Sequence, residues 1–512
     1  MNKMFYIFFA ILLIIFAPIT KASEDVWLRS QPGFFRFNFE EVSIPNNNSK
    51  MGLLGLNYFI HVTPIFYGGI GTYGAVTGTQ GGFFIFGAGV GAQQTLYKHW
   101  VADANFFLGG GGGKSSLVGG GLMLRPAIGL YYTWEKARLG LQYSYIYFPN
   151  GEIRSQQIGL GLDLFADFYY VPATEASINH LDSSHIKLPI DQYLSFDRND
   201  FALFLQAYQQ KAGTRNSDGQ VQDGTIQLIG AEWDHFLTDR FFWWLKTSGA
   251  FNGIPNGYMD ILGGFGYQMP LISNILFLVP QLGIGAGGGG MVDSGGGMLI
   301  NPLLGIEWPL FSRFSVRLSG GYLSAVKGDF KAYVYSGELL YHLDFATAEK
   351  TPTIDLGFFD LHRWQIQFFN QTYFTPQRSQ SSLNSSIEMF ALQLDQLISE
   401  HFHFSYQAAG AYSGYRAGGY ATGMIGPGVQ STPFYHDRMR VIAELLIGAG
   451  GGGGLALNGG ALIEPVIGLQ YLFTPAIGVQ ASFSQVKALR DDLNTPVLNI
   501  GFTIRFDTLS HT

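Results

Sequence analysis

Over long stretches of the chain, apolar residues alternate with small or polar ones at a period of two. From Gly121 to Thr133, one set is Leu122, Leu124, Pro126, Ile128, Leu130 and Tyr132. The other is Met123, Arg125, Ala127, Gly129, Tyr131 and Thr133. Successive side chains of a strand point to opposite faces, so this stretch predicts a strand with one continuous apolar face. After a turn at Trp134 to Ala137 the split resumes: Leu139, Leu141, Tyr143 and Tyr145 oppose Gly140, Gln142, Ser144 and one apolar exception, Ile146. Ile158, Leu160, Leu162 and Leu164 then oppose Gln157, Gly159, Gly161 and Asp163. Counted this way, the stretch from about Gly33 to Tyr170 holds about eight strands. Ser385 to Phe402 taken alone has helical amphipathicity, but its match to Asn57 to Phe66 and Glu232 to Phe241 predicts a strand there too.

The pattern occurs three times. Gly109 to Gly113 returns as Gly287 to Gly290 and as Gly450 to Gly454, each followed by a strand with one fixed proline, Pro126, Pro302 or Pro465. A second landmark, Gly74-Ala75-Val76-Thr77-Gly78, returns as Gly249-Ala250-Phe251-Asn252-Gly253 and Gly410-Ala411-Tyr412-Ser413-Gly414. The two registers agree to within two residues: the steps are 176 and 163 for the proline, 175 and 161 for the second landmark. Internal repetition of this kind defines the unit of the fold. The expected division is a signal peptide at 1–22, repeat 1 at 23–170, a linker at 171–200, repeat 2 at 201–345, a linker at 346–363, repeat 3 at 364–506 and a tail at 507–512. The linkers lack alternation, and short helices are expected there.

Composition sharpens the class. The chain has 69 glycines, 44 phenylalanines and 27 tyrosines in 512 residues, with only 13% charged. Soluble domains average ~25% charged and ~7% glycine. Residues 4–18 are apolar, preceded by Lys3 and followed by small residues up to Ala22, the form of a secretory signal peptide. No later stretch has the ~20 apolar residues of a spanning helix. The chain has no cysteine, which excludes disulfides and thiolate metal sites, and a net charge of −7 argues against nucleic acid as a partner. An exported, aromatic, glycine-rich and charge-poor chain of alternating strands predicts an all-β transmembrane antiparallel barrel. An even number of strands per repeat brings every repeat back to the same side of the membrane. Tight connections such as Val62 to Ile65 and Leu237 to Arg240 then read as periplasmic turns, and the glycine blocks fall at the opposite, extracellular end.

The last strand, Asn499-Ile500-Gly501-Phe502-Thr503-Ile504-Arg505-Phe506, resembles the C-terminal assembly signal of Gram-negative outer-membrane β-barrel proteins. The resemblance implies insertion into the outer membrane by the barrel-assembly machinery, with outer-membrane lipid as surroundings. It names no solute. Two closures fit the repeats. One barrel of about 24 strands would be roughly 45 to 50 Å across, and the many small residues of the inward set favour it. Three tethered eight-stranded barrels, each roughly 16 Å across and filled by side chains, are the alternative.

The candidate chemistry is sparse. Arg125, Asn301 and Glu464 occupy one equivalent inward position in the three repeats, and Asp103, Asn105, Glu307, Arg317 and Gln470 are further lumen-facing candidates. Such groups tune ion preference in a channel. The glycine blocks lack the Gly-Lys-Ser/Thr ending of a phosphate loop in all but Gly113-Lys114-Ser115, so no nucleotide or other cofactor is expected. His401 and His403 share one strand face but have no counterpart in the other repeats, and they read as a surface pair near a turn rather than a metal site. His180, Asp182 and His185 lie in the linker and are read the same way. No Ser-His-Asp set or carboxylate pair can be assembled, so the chain reads as a non-enzymatic passive pore with a polar, glycine-rich lumen, or as a structural or surface-interaction barrel. A path for hydrophobic substrates ranks third, because the inward set is small and polar. The three prolines are expected at a bulge or bend.

Overall fold

The computed structural model describes residues 26–45, 49–113, 115–173, 180–182, 186–187, 193–253, 257–273, 275–349, 358–379 and 385–511. The expected signal peptide lies outside them. The protein is all-β and antiparallel in its barrels, with one short helix, Ser115–Val118, among the described residues. No described helix is long and apolar enough to cross a membrane, which leaves open a crossing by strands.

Each repeat closes on itself. Barrel 1 runs from strand Gly33–Ser43 to strand Arg154–Phe165 and closes by pairing Phe34 to Glu40 with Phe165 to Gly159. Barrel 2 closes between Tyr193–Gln210 and Lys331–Glu349, paired from Tyr193↔Glu349 to Gln210↔Ala332. Barrel 3 closes between Phe358–Tyr373 and Asn494–His511. Every ring has eight strands. The favoured single barrel of about 24 strands does not form; the three-barrel alternative does. The physical reason is that the inward set carries more bulk than its glycines suggest. Inward rings lie over glycines of neighbouring strands: Tyr67 covers Gly91, Trp244 covers Gly283, and His403 covers Gly428, so that a Cβ on any of these glycines would overlap the ring. Glycine and aromatic residues thus fill a narrow lumen together, which a residue-by-residue size count does not register.

Ser385 to Phe402 is strand Ile387–Leu397 followed by a turn. The linkers carry strand rather than the expected helix wherever they are described. Strand Phe168–Pro172 pairs with Arg29–Gln31 and with Phe506 and Asp507 of the last strand, while His180–Asp182 pairs with the start of Phe358–Tyr373. The fixed prolines also differ from expectation. All three point outward, and pairing to the following strand skips residues 125–126, 301–302 and 464–465 without any register shift. A proline has no N–H to donate, so the ladder is interrupted there rather than bulged.

The bulges that recur in all three barrels lie in the second landmark. Register slips between Gly52/Leu53, Gln227/Leu228 and Glu388/Met389, leaving Val76, Phe251 and Tyr412 as the extra residues on the facing strands. A bulge bends its strand and re-aims the neighbouring backbone. Here it presents the preceding alanine carbonyl to another barrel. In the glycine clusters just after the blocks, a Cβ on Gly297 would overlap the oxygen of Ala75, one on Gly460 that of Ala250, and one on Gly121 that of Ala411. Within the blocks, one on Gly288 would overlap Gly82, one on Gly451 would overlap Gly257, and one on Gly110 would overlap the Gly410 carbonyl. Backbone hydrogen bonds join the same surfaces, from Gly81 to the Gly295 carbonyl (3.0 Å) and from Gly419 to that of Gly111 (3.0 Å). The two sequence landmarks are therefore the two halves of one contact, used head to tail: barrel 1 docks on 2, barrel 2 on 3, and barrel 3 on 1. A heterologous contact that closes after three steps gives a ring with approximate three-fold symmetry.

Candidate functional site: barrel interiors and the chamber between them

The outward set of each strand does two jobs. On the far side of each barrel it is exposed, as at Ile128 and Ile158 in barrel 1, Leu304 and Leu318 in barrel 2, and Leu445 and Ile467 in barrel 3. Exposed rings gather at the tight-turn end, among them Tyr97, Trp100, Trp134, Phe311, Phe402 and Phe473, while Tyr143, Tyr333 and Tyr335 are exposed towards the other end. Strands of 11 or 12 residues, such as Met123–Thr133 and Phe314–Ala325, span ~30 Å when tilted by ~40°.

Inside the barrels the polar residues pair with one another. In barrel 1, Arg36 bonds Asp163 through Nε (2.7 Å) and Nη2 (2.9 Å) and Asp103 through Nη1 and Nη2 (both 3.0 Å). Its guanidinium also lies 4.8 Å from the ring centre of Tyr131. Arg138 joins Asp163 at 2.6 Å. The predicted lumen residue Arg125 is buried and held by Glu40 (2.7 Å), and Asn105 donates to Asp103 (2.7 Å). In barrel 2, Arg317 is surrounded by Glu232 (3.0 Å), Asp234 (2.8 Å), Glu307 (3.1 Å) and Glu338 (3.2 Å). Asn301 instead donates to the Tyr322 carbonyl (3.0 Å), close to the gap left by Pro302. Barrel 3 is glutamine-rich. Gln470 donates to Gln365 (3.0 Å) and accepts from Arg505 (2.6 Å), and Glu464 accepts from Ser484 (2.6 Å).

The three equivalent positions 125, 301 and 464 thus sit in three separate lumens and make no common site. His403 departs from the surface reading: it is buried in barrel 3, with Nε2 3.1 Å from Glu444 Oε1, while His401 stays at the turn beside the Gln430 carbonyl (3.3 Å). Asp395, His403 and Glu444 have their ligand atoms within 4.8 Å of one another, a donor set of a kind that can bind a metal. Glutamine amides already occupy it, with Gln393 Nε2 2.8 Å from Asp395 Oδ1 and 3.1 Å from Glu444 Oε1, and Gln365 Nε2 2.9 Å from Asp395 Oδ2. It is a satisfied hydrogen-bond network.

A large open space lies outside the barrels, between them. A chamber of about 2840 Å³ is walled by outward-facing side chains of all three: Phe37, Leu56 and Ile70 of barrel 1, Leu203, Trp233 and Leu245 of barrel 2, and Phe390, Leu392 and Tyr406 of barrel 3. It reaches Gly74 and Ala286 towards the glycine end and Phe168, Arg313, His362 and Trp364 at the tight-turn end. Its walls are unequal. The seam between barrels 3 and 1 is packed by Ala88, Phe368, Phe390 and Ile504. The seam between barrels 1 and 2 is packed at the glycine end by Val76, Phe84 and Ala286, whereas Phe265, Leu282 and Ile284 line the chamber and are still more than half exposed. Sequence reasoning missed this site because chamber-facing and lipid-facing residues carry the same outward apolar alternation. Only the docking of the barrels separates them.

No protein-family model and no curated protein matches the chain. Among solved structures, it aligns with OpdQ of Pseudomonas aeruginosa at 9% identity over 93% of this chain and 98% of that one, TM-score 0.22. It aligns with OccAB3 of Acinetobacter baumannii at 11% identity over 93% and 99%, TM-score 0.21. It aligns with the siderophore receptor PirA of Pseudomonas aeruginosa at 10% identity over 95% and 82%, TM-score 0.28. The architecture described above rests on the strand pairing of this chain itself.

Proposed function

We propose that the protein is a β-barrel assembly of the Gram-negative outer membrane whose working compartment is the apolar chamber between its barrels, and that it carries a hydrophobic or amphiphilic ligand there. The membrane reading is supported by the exposed aliphatic belts, the rings at their edges and strands long enough for a ~30 Å hydrocarbon layer. The observation that carries the functional reading is a contrast. The lumens hold buried charges and amides bonded to one another, and the large open volume between the barrels is lined by Phe, Trp and Leu.

Water does not fill such a chamber well, because a buried water needs two to four polar partners. Hydrocarbon is the filling that its walls accept. The volume is also well above the ~300 to 1,000 Å³ of pockets for drug-sized molecules, so the ligand is large or chain-like. The passive-pore alternative requires solutes to displace the Arg36, Arg317 and Gln470 networks. Planar-bilayer recording separates the two: the refolded protein, verified as folded by circular dichroism, is expected to give no stable single-channel steps. Extraction of the protein in mild detergent, followed by mass spectrometry, is expected to recover amphiphile in defined stoichiometry. Large stable conductance steps would overturn the proposal in favour of an aqueous pore.

A further inference from the structure

The chamber is apolar along its depth but not at its tight-turn end. The charged side chains in its lining there come from all three barrels and the connecting segments. They comprise three cations, Lys136, Arg313 and Arg363, and four carboxylates, Asp167, Asp197, Asp360 and Glu400. Arg313 lies in the two-residue turn between strands Met298–Phe311 and Phe314–Ala325, partly exposed. It reaches Asp360 (2.6 Å) and the His362 Nε2 (3.4 Å) on the adjoining edge of barrel 3. His362 Nε2 in turn lies 2.6 Å from Ser510 Oγ. Both signs are thus present around one mouth, in near balance, at the level where strands end and a bilayer's headgroups begin.

Resting on the chamber reading above, we propose that the ligand is a zwitterionic phospholipid whose acyl chains occupy the chamber and whose phosphate and ammonium groups lie in this mixed collar. The chemistry is complementary. A guanidinium in the wall offers paired N–H donors to a phosphate, and a carboxylate beside it accepts from an ammonium. A purely anionic headgroup would meet four carboxylates, and an uncharged headgroup would make no ionic contact with the collar. The acyl chains gain little by leaving one hydrocarbon medium for another, since lipid tails are as apolar as the leucines that receive them. Headgroup contacts therefore decide which lipid stays.

The test uses the full mature chain reconstituted into vesicles of equal parts phosphatidylethanolamine, phosphatidylglycerol and an uncharged diacyl glycolipid. It is re-extracted in mild detergent, and the retained lipid is quantified by mass spectrometry. The protein is expected to retain phosphatidylethanolamine at about tenfold over its input share, a difference of about 1.4 kcal/mol. The double variant Arg313→Gln, Arg363→Gln is expected to bring that ratio close to one with the total retained lipid unchanged. A chamber-filling variant, Ala231→Trp with Ala408→Trp, is expected to lower the total itself. Retention of lipid in input proportions, or enrichment of phosphatidylglycerol, overturns the headgroup assignment and leaves the chamber reading standing. A total that the tryptophans do not lower, in protein that circular dichroism shows to be folded, overturns the chamber reading.

Discussion

Arg317 shows what the inward polar residues do. One guanidinium holds four carboxylates in a space that excludes water, and removing a partner from such a buried set leaves uncompensated charge. Arg317→Met is expected to cost about 3–5 kcal/mol in guanidinium unfolding followed by far-UV circular dichroism. Asn301→Ala, which loses one hydrogen bond to a carbonyl, is expected to cost only about 1 kcal/mol in the same assay. The sequence placed Arg125, Glu307, Arg317 and Gln470 in the inward set through the period-two pattern alone. Their partners Glu40, Glu232, Asp234 and Gln365 were invisible as partners, because each lies on another strand than the residue it pairs with and meets it only when the ring closes. His403 was misread for the same reason: its neighbour Glu444 is 41 residues away in sequence.

Among the strands, the glycine blocks are docking surfaces. Their repetition is legible along the chain but their purpose is not, since a glycine needed for a tight turn and a glycine needed for backbone contact look alike. The close approach of Gly297 to Ala75, of Gly460 to Ala250 and of Gly121 to Ala411 decides it. Gly297→Val, Gly460→Val and Gly121→Val are each expected to destabilise by about 1–3 kcal/mol or more, read as a lower unfolding midpoint, through overpacking between barrels together with the strain of a β-branched residue at their positive φ of 98°, 87° and 96°. Unchanged midpoints would show that the barrels do not dock through these blocks. On the far side of barrel 1, Ile158→Arg faces the bilayer near the middle of strand Arg154–Phe165. In liposomes it is expected to cost about 2–4 kcal/mol. A cost near zero there would count against the lipid-facing belt.

For the whole molecule, the number of strands and the three-fold repetition were legible, and the closure was not. Alternation says which residues turn inward within a strand, but the same pattern serves one wide ring or three narrow ones. What decides is side-chain volume summed across a lumen, with Tyr67, Tyr131, Trp244 and Arg317 pressed against glycines of other strands. The apolar chamber follows from that closure, since three filled barrels that meet along only part of their walls leave space between the rest. The absence of cysteine makes a direct probe simple. A single nitroxide placed at Leu392 in the chamber, at Leu160 on the outer face, or at Gln365 inside barrel 3 reports its collisions with oxygen and with a water-soluble nickel chelate. In liposomes, Leu392 is expected to match Leu160, with high oxygen and low nickel accessibility, while Gln365 is inaccessible to both. Nickel accessibility at Leu392 as high as that of a residue in bulk water would contradict an apolar, lipid-holding chamber between the barrels.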